Sequence, residues 1–458
     1  MAARRPGPDK ALNSGSVAAR LERLPHSRWH VKVRFMIGAV TFFEAFDQLL
    51  AASALPVLTE QWNLSTGQAT FAVTAASVGM LLGAFGAGWL GDKIGRVRTV
   101  ALGVLVTGLA SIAVALAANI EMFAAFRFVQ GVGIGGVVPI AATYINEIAR
   151  SDSRGKLVLL YELIFPAGLS AASLTAVWVV PNLGWRAMFL IGGLPVVLAV
   201  LLVRKVPESP RWLASQGRVA EAEEVMSKIE SEVVTATAQP LPRPSLEIPA
   251  EESRGRLREI FQGRYLRRTA VLATMWFVAY YVNHGISTWL PSLYTKQFGL
   301  DLTTALVYSL ISNATGLLGT LIAALVVDRI GRRPLLLTAL IGTTAALAAL
   351  GVAGATSGGQ VAIFASCTTF FIFIINASLY LYSPELYPTR NRAKGAAFGG
   401  VWNRLGVILG PVAVGAVIAS GASLSVVFVQ LAVVAAVGAV VACFMVETKG
   451  RTLEELNA

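Results

Sequence analysis

Twelve uninterrupted apolar runs, each close to the ~20 residues needed to cross a hydrocarbon layer of ~30 Å, decide what this chain can become. They lie at about 33–56, 69–91, 98–118, 121–147, 156–180 and 186–206, then at 268–291, 304–327, 333–354, 359–383, 394–419 and 424–446, in two groups of six. Within lipid every backbone N–H and C=O must be satisfied inside its own segment, and blocks of this length do not alternate as barrel strands do, so each run is expected to be a helix. The expected fold is an all-α membrane protein. Composition agrees, because 55% hydrophobic and 14% charged residues leave too little polar surface to cover a soluble globule.

The formal net charge of +12 raises nucleic-acid binding, and its distribution argues against it. With both termini in the cytoplasm, all but four of the 38 Lys and Arg fall on the inner side; Arg186 and Lys296 lie outside, and Arg127 and Arg404 lie within spans. That is a positive-inside pattern, and it assigns the basic charge to topology and to membrane lipids. Residues 1–32 are polar and basic, so no cleavable signal peptide is expected and the first span serves as insertion signal. Cys367 and Cys443 fall within spans and are expected to be buried as small apolar residues, with no disulfide, metal or other cofactor.

The runs divide the chain into a cytoplasmic segment 1–32, a six-helix bundle 33–206, a cytoplasmic linker 207–267, a second six-helix bundle 268–446 and a tail 447–458. In the linker, Val219–Ile229 has amphipathic helical spacing, whereas Pro240, Pro242, Pro244 and Pro249 mark a stretch too rich in proline for a helix. The two bundles repeat each other. Asp92-Lys-Ile-Gly95-Arg96 recurs as Asp328-Arg-Ile-Gly331-Arg332 at an offset of 236 residues. Tyr144, Glu147 and Arg154 recur as Tyr382, Glu385 and Arg392 at 238, and Glu208 recurs as Glu447 at 239. Parallel repeats of this kind put a substrate site at their interface near the midplane and let the halves rock about it.

These residues carry a resemblance that covers the whole chain. Gly88-Trp-Leu-Gly-Asp92-Lys-Ile-Gly95-Arg96-Val-Arg98 resembles the signature loop of the major facilitator superfamily, and Arg127-Phe-Val-Gln130-Gly131-Val-Gly133 its fourth-helix motif. Pro207-Glu208-Ser209-Pro210-Arg211-Trp212, Pro384-Glu385-Leu-Tyr-Pro388-Thr-Arg390 and Glu447-Thr448-Lys449-Gly450-Arg451 are similar to sugar-porter signatures shared by metabolite:proton symporters and organic ion transporters. Arg23-Leu-Pro25-His-Ser-Arg28-Trp29-His30 and Phe43-Glu44-Ala-Phe46-Asp47 most resemble the metabolite:proton symporter branch, which includes nicotinate and aromatic-acid transporters. The fifth span reads Phe165-Pro166-Ala167-Gly168 and lacks the Gly-Pro run of drug:proton antiporters. The seventh reads Tyr280-Tyr281-Val-Asn283-His284 and lacks the paired glutamines of sugar porters.

Ionisable groups inside spans are costly, ~2.5–3.5 kcal/mol each, and are therefore functional candidates. Asp47 lies roughly 21 Å along the first span and Arg127 about 9 Å below the outer surface, depths that permit contact. Burial disfavours a charged carboxylate and a guanidinium favours it, so Asp47 is expected to carry a proton with Arg127 as its switchable partner. The alternative is a static ion pair that fixes packing. The resemblance points to the proton role. Glu44, at i−3 from Asp47, reads either as a second proton site or as a neutral hydrogen-bonding side chain.

Arg404, beside Asn403 and about 15 Å into the eleventh span, is a permanently charged fork of donors suited to a carboxylate, which points to an organic anion; pairing with Glu162 is the alternative. Trp276, Tyr280, Tyr281, Asn283, His284 and Trp289 on the seventh span, with Asn376 and Tyr380 on the tenth, could bind a flat ring by stacking and hydrogen bonds, or simply pack. At the loops, Asp92 is expected to face a helix N-terminus. Arg96, Arg154, Arg332 and Arg392 are expected to pair with Glu147, Glu208, Glu385 and Glu447, and with Asp328 these form a cytoplasmic gate.

Gly131-Val-Gly133-Ile-Gly135-Gly136 matches a dinucleotide fingerprint, but it sits inside a span, where close helix packing explains it. No nucleophile triad or phosphate loop points to an enzyme. The expected function is proton-coupled symport of a small aromatic or heteroaromatic acid by a monomer in a bacterial inner membrane. An exporter or uniporter of a metabolite, sugar or organic cation is the alternative. A non-transporting sensor would have no need of Asp47 and Arg127 at matching depth.

Overall fold

The computed structural model describes residues 14–25, 27–148, 163–242 and 257–450. Arg154, Glu162, Pro244 and Pro249 lie outside these residues, as does the side chain of Arg392. The described residues form helices α1 (Ser14–Glu22), α2 (Arg28–Gln61), α3 (Thr66–Ile94), α4 (Arg96–Ala115), α5 (Ile120–Gly135), α6 (Val137–Ile148), α7 (Ile164–Leu183), α8 (Trp185–Ile191), α9 (Pro195–Lys205), α10 (Pro210–Ser215), α11 (Val219–Thr237), α12 (Gly263–Ser287), α13 (Leu290–Phe298), α14 (Leu302–Ile330), α15 (Arg332–Ala353), α16 (Gly358–Glu385), α17 (Thr389–Ala419) and α18 (Leu424–Ala442). Span four is α5 with α6, broken at Gly136, and span six is α8 with α9.

Eleven spans among the described residues are long and apolar enough to cross a membrane. The twelfth, α12, has 25 residues, but Arg264, Arg267 and Arg268 at its start and Tyr280, Tyr281, Asn283 and His284 near its end make it the most polar. Side chains capping N-termini explain several starts: Ser65 with Gln68 forms a capping box on α3, and Asn119, Asp301 and Ser357 accept N–H bonds at α5, α14 and α16. Large apolar side chains such as Phe85, Trp89, Leu325, Ile363 and Val440 stay exposed on the outer faces, where lipid replaces water.

The repetition read from the loops extends to the packing. In the first half α2 packs on α7, α3 on α5 and α4 on α9; in the second α12 packs on α17, α14 on α16 and α15 on α18. The halves meet through two equivalent crossings, α3 with α17 and α7 with α14, and α13 adds a contact to α2. The glycine run in α5 serves packing, because Cβ atoms at Gly131 and Gly135 would collide with the backbone of Ala76 and Met80 on α3.

At the basic end of the bundle, α3 passes into α4 through Gly95 and α14 into α15 through Gly331, at φ 106° and 100°. Glu208 accepts the N–H groups of Arg96 at 2.8 Å and Val97 at 3.1 Å, and Glu447 accepts those of Arg332 at 3.1 Å and Arg333 at 3.0 Å. The carboxylate at each helix N-terminus is therefore Glu208 or Glu447, which corrects the expectation for Asp92. Asp92, largely exposed, pairs with Arg96 one turn on at 2.6 Å, as Asp328 does with Arg332 at 2.9 Å. Arg96 also reaches Glu147 at 3.2 Å and Arg332 reaches Glu385 at 2.9 Å. Among the described residues these pairs join helices of the same half, so they fasten each bundle rather than bridging the two. Burial opposes the charge on Glu447, but the N–H groups of Lys449, Arg332, Arg333 and Thr448 hold its carboxyl below the usual range.

Gly95→Ala is expected to lower stability by about 1–3 kcal/mol, because its backbone (φ 106°, ψ 165°) suits glycine and a Cβ there meets the Glu208 carboxylate. Gly88→Ala, which opens onto empty space, is the control. Thermal unfolding in detergent checks both, and equal melting temperatures would contradict the account.

The N-terminal segment adds a helix, and two expectations, for the linker helix and for the cysteines, are corrected. The N-terminal segment contains α1, whose Arg20 holds Glu223 at 2.7 Å and Glu230 at 2.8 Å on α11. The linker helix runs to Thr237 rather than ending at Ile229. Cys367 and Cys443 are exposed rather than buried.

Candidate functional site

Asp47 on α2 and Arg127 on α5 come together in the first half. Their side chains are 3% and 4% exposed, with Oδ2 and Nη1 3.2 Å apart. Gln130 completes the group: Arg127 Nη1 donates to its Oε1 at 2.7 Å, and its Nε2 donates to Asp47 Oδ1. One turn beyond Arg127, Gln130 shares its helix face, so the two arms of the Asp47 carboxylate are held by α5 alone. The guanidinium lies 5.9 Å from the Phe189 ring on α8, and its Nε has no partner. A buried acid and base this close can trade a full charge pair for a neutral acid plus a cation, with Gln130 able to accept the orphaned guanidinium.

Across the interface, Arg404 on α17 donates from Nη2 to the Gly135 carbonyl at 3.1 Å and from Nη1 to Gly400 O at 3.4 Å. Gly135 ends α5, so its carbonyl is one of those a helix C-terminus leaves unpaired. Asn403 is buried beside Arg404, about 100° round the helix. Glu44, one turn before Asp47, is buried with Oε2 unpartnered.

The aromatic residues separate into two groups. Trp276, Tyr280 and Tyr380 form a cluster with ring centroids 4.8–5.6 Å apart, Tyr280 and Tyr380 hydroxyls 3.4 Å apart, and Trp276 Nε1 bound to Ser383 Oγ at 3.0 Å. His284 stacks on Tyr280 at 5.9 Å. His284 and Asn283 line a cavity with Gln48, Leu49 and Ala52 of α2, Leu169 of α7, Asn313 of α14 and Phe373 of α16. Asn376 is buried with Oδ1 unpartnered. Tyr281 points away: its hydroxyl accepts from Gln430 Nε2 on α18 at 2.8 Å, so the expectation that it binds substrate is corrected to a packing role. Trp289 is likewise tied to structure, donating to Pro411 O at 3.1 Å.

Gln48, Gln130 and Asn313 were not singled out from the sequence. Asn313 donates to Ser173 Oγ on α7 at 2.8 Å, linking the halves at the cavity wall. Each is a polar amide inside an apolar span, and spacing from Asp47 and Arg127 marks the first two.

Two six-helix sets meeting at paired crossings, with a buried acid–base pair in one half and an arginine in the other at the junction, define a membrane transporter of the major facilitator type. The family pattern for sugar (and other) transporters matches residues 33–458. The niacin transporter NiaP of Acinetobacter baylyi is 32% identical over 96% of this chain and 99% of its own. The 4-hydroxybenzoate transporter PcaK of Pseudomonas aeruginosa is 28% identical over 87% of this chain and 89% of its own. Among solved structures, the proton:xylose symporter XylE bound to 6-bromo-6-deoxy-D-glucose superposes with TM-score 0.71 at 20% identity, covering 94% of this chain and 98% of that one. The chain belongs to the sugar (and other) transporter family of the major facilitator superfamily; it is a multi-pass membrane transporter of a small-molecule substrate, not an enzyme.

Proposed function

We propose that this protein is a proton-coupled symporter for a small aromatic or heteroaromatic monocarboxylate. The observation that carries the reading is the buried Asp47–Arg127 pair at 3.2 Å in one half, with Arg404 of the other half at the interface. Asp47 is the group that accepts and releases the proton, and Arg127 with Gln130 stabilises whichever form it takes. Arg404 supplies the fixed positive charge for the substrate carboxylate. Trp276, Tyr280, Tyr380 and His284 provide flat faces for the ring, and Asn283, Asn376, Gln48 and Asn313 provide amides for its heteroatoms or hydroxyl. The likeness to transporters named for niacin and 4-hydroxybenzoate supports an acid of this kind.

In this reading residues 33–206 and 268–446 move as two bodies across the α3–α17 and α7–α14 crossings, in an inner membrane with both termini cytoplasmic. The networks around Arg96 and Arg332 travel with their own bodies, and the protein works as a monomer. Purified protein in liposomes, offered radiolabelled nicotinate, 4-hydroxybenzoate, xylose and a quaternary ammonium, tests the substrate class. Uptake of the carboxylates that rises with an inside-alkaline gradient is the expected result. Uptake of xylose or the cation in their place, or carboxylate uptake indifferent to the gradient, would overturn the reading.

A further inference from the structure

Glu44 and Arg404 belong to opposite halves, yet they sit at the same depth. Both helices start at the basic end, Glu44 16 residues along α2 and Arg404 15 residues along α17, about 24 and 22 Å. Two donors of Arg404 are used on the Gly135 and Gly400 carbonyls, while its Nε and the Glu44 Oε2 are buried with no hydrogen-bond partner. Arg404 and Asp47 are the charged groups whose fields reach Glu44. Helix α7, which packs along α2, carries no charged residue. The charges of α3, α6, α8, α9 and α13, which also touch α2, lie near their helix ends, and those of α11 belong to the linker. Orphaned atoms of opposite charge in one dry region call for an account, since buried polar groups are normally paired.

We infer that Glu44 is the internal counter-charge of Arg404 in the empty transporter, and that an arriving substrate carboxylate replaces it as Glu44 takes up one proton. This deepens the anion-site reading and rests on it. The charge balance immediately around Arg404 favours the exchange. Without substrate, Glu44 carboxylate and Arg404 guanidinium sum to zero, as do Asp47 and Arg127. A bound carboxylate would leave one net negative charge in low dielectric, and a proton from solvent, forming an O–H bond on the Glu44 carboxylate, restores neutrality. The neutral acid still has a partner at hand, because it can donate to the incoming anion. The anion therefore binds together with a proton that is distinct from the one carried by Asp47. The same charge works across the halves: the Gly135 carbonyl at 3.1 Å ties Arg404 to the first half, and the field of a charged Glu44 strengthens that tie until substrate arrives.

Equilibrium binding of nicotinate and 4-hydroxybenzoate to the purified full chain in detergent, from pH 5.5 to 8.5, tests this. In the wild type the dissociation constant is expected to rise about tenfold per pH unit over the range where free Glu44 is charged, the slope of one coupled proton. Glu44→Gln should abolish the slope and bind at pH 8.5 as the wild type does at the acid end, while Glu44→Asp keeps the slope. Nicotinamide, the neutral amide of the same ring, should bind the wild type without a slope, an arm that needs no variant to fold. A slope retained in Glu44→Gln, or shared by nicotinamide, overturns this inference and leaves the anion site standing. Absence of saturable carboxylate binding to the wild type at every pH overturns both.

Discussion

Asp47→Asn is expected to abolish gradient-driven accumulation while leaving exchange of labelled for unlabelled substrate across the membrane intact. The carboxylate is 3% exposed and held by Arg127 at 3.2 Å and by Gln130, so its charge is balanced by that one buried pair. Asparagine keeps the shape and one acceptor but cannot take or release a proton. Net uptake requires the empty transporter to return with Asp47 in a different protonation state from the loaded one; exchange does not, because it moves only between loaded forms. Accumulation should fall from the ratio set by the pH gradient to about one, a loss of at least ~100-fold for a gradient of two pH units, the ratio that a single coupled proton sets. Removing one partner of a buried pair also destabilises by about 3–5 kcal/mol, so folding has to be read separately. Retained exchange provides that reading, since an unfolded protein gives neither activity. Accumulation persisting in the variant would remove Asp47 from the coupling step.

The encounter of Asp47 with Arg127 was legible because it rests on two quantities a sequence carries: the rise per residue and the point at which each apolar run begins. The same is true of the repeat, whose loop motifs at offsets of 236 to 239 residues reappear as matched helix pairings. Side-chain azimuth was not legible. Tyr280 and Tyr281 are neighbours pointing about 100° apart, and which of them joins Tyr380 of α16 and which turns to Gln430 of α18 depends on where those helices pack, a tertiary fact. The macrodipole argument points to Asp92 as the helix-terminal anion because it is the carboxylate that precedes α4 in the loop motif. The carboxylate that takes that place, Glu208, is 112 residues away and arrives only when α9 is packed on α4. Gln130 was visible as part of a motif, yet its role required seeing that Asp47 has two oxygens and Arg127 uses only one of them. The break of span four at Gly136, which frees the carbonyl that Arg404 uses, has no signal beyond a glycine pair that reads equally well as packing.

Arg404→Ala carries the second large effect. The guanidinium is the charged group that α17 brings to the interface, and the two donors it uses, Nη1 and Nη2, end on neutral backbone carbonyls that a substrate carboxylate can displace. A charge-assisted, two-point contact of guanidinium with carboxylate in a dry site contributes roughly 2–3 kcal/mol beyond what water would supply, so affinity for a monocarboxylate should weaken by about 30- to 150-fold. Arg404→Lys retains the charge but loses the planar fork, and should recover only part of that affinity. The neutral amide of the same acid separates recognition of charge from damage to the pocket. Its binding should change little in Arg404→Ala, because the ring contacts from Trp276, Tyr280, Tyr380 and His284 are on other helices. Equal losses for acid and amide would mean that Arg404 shapes the interface through Gly135 instead of receiving the anion, and the substrate charge would then have to be met elsewhere.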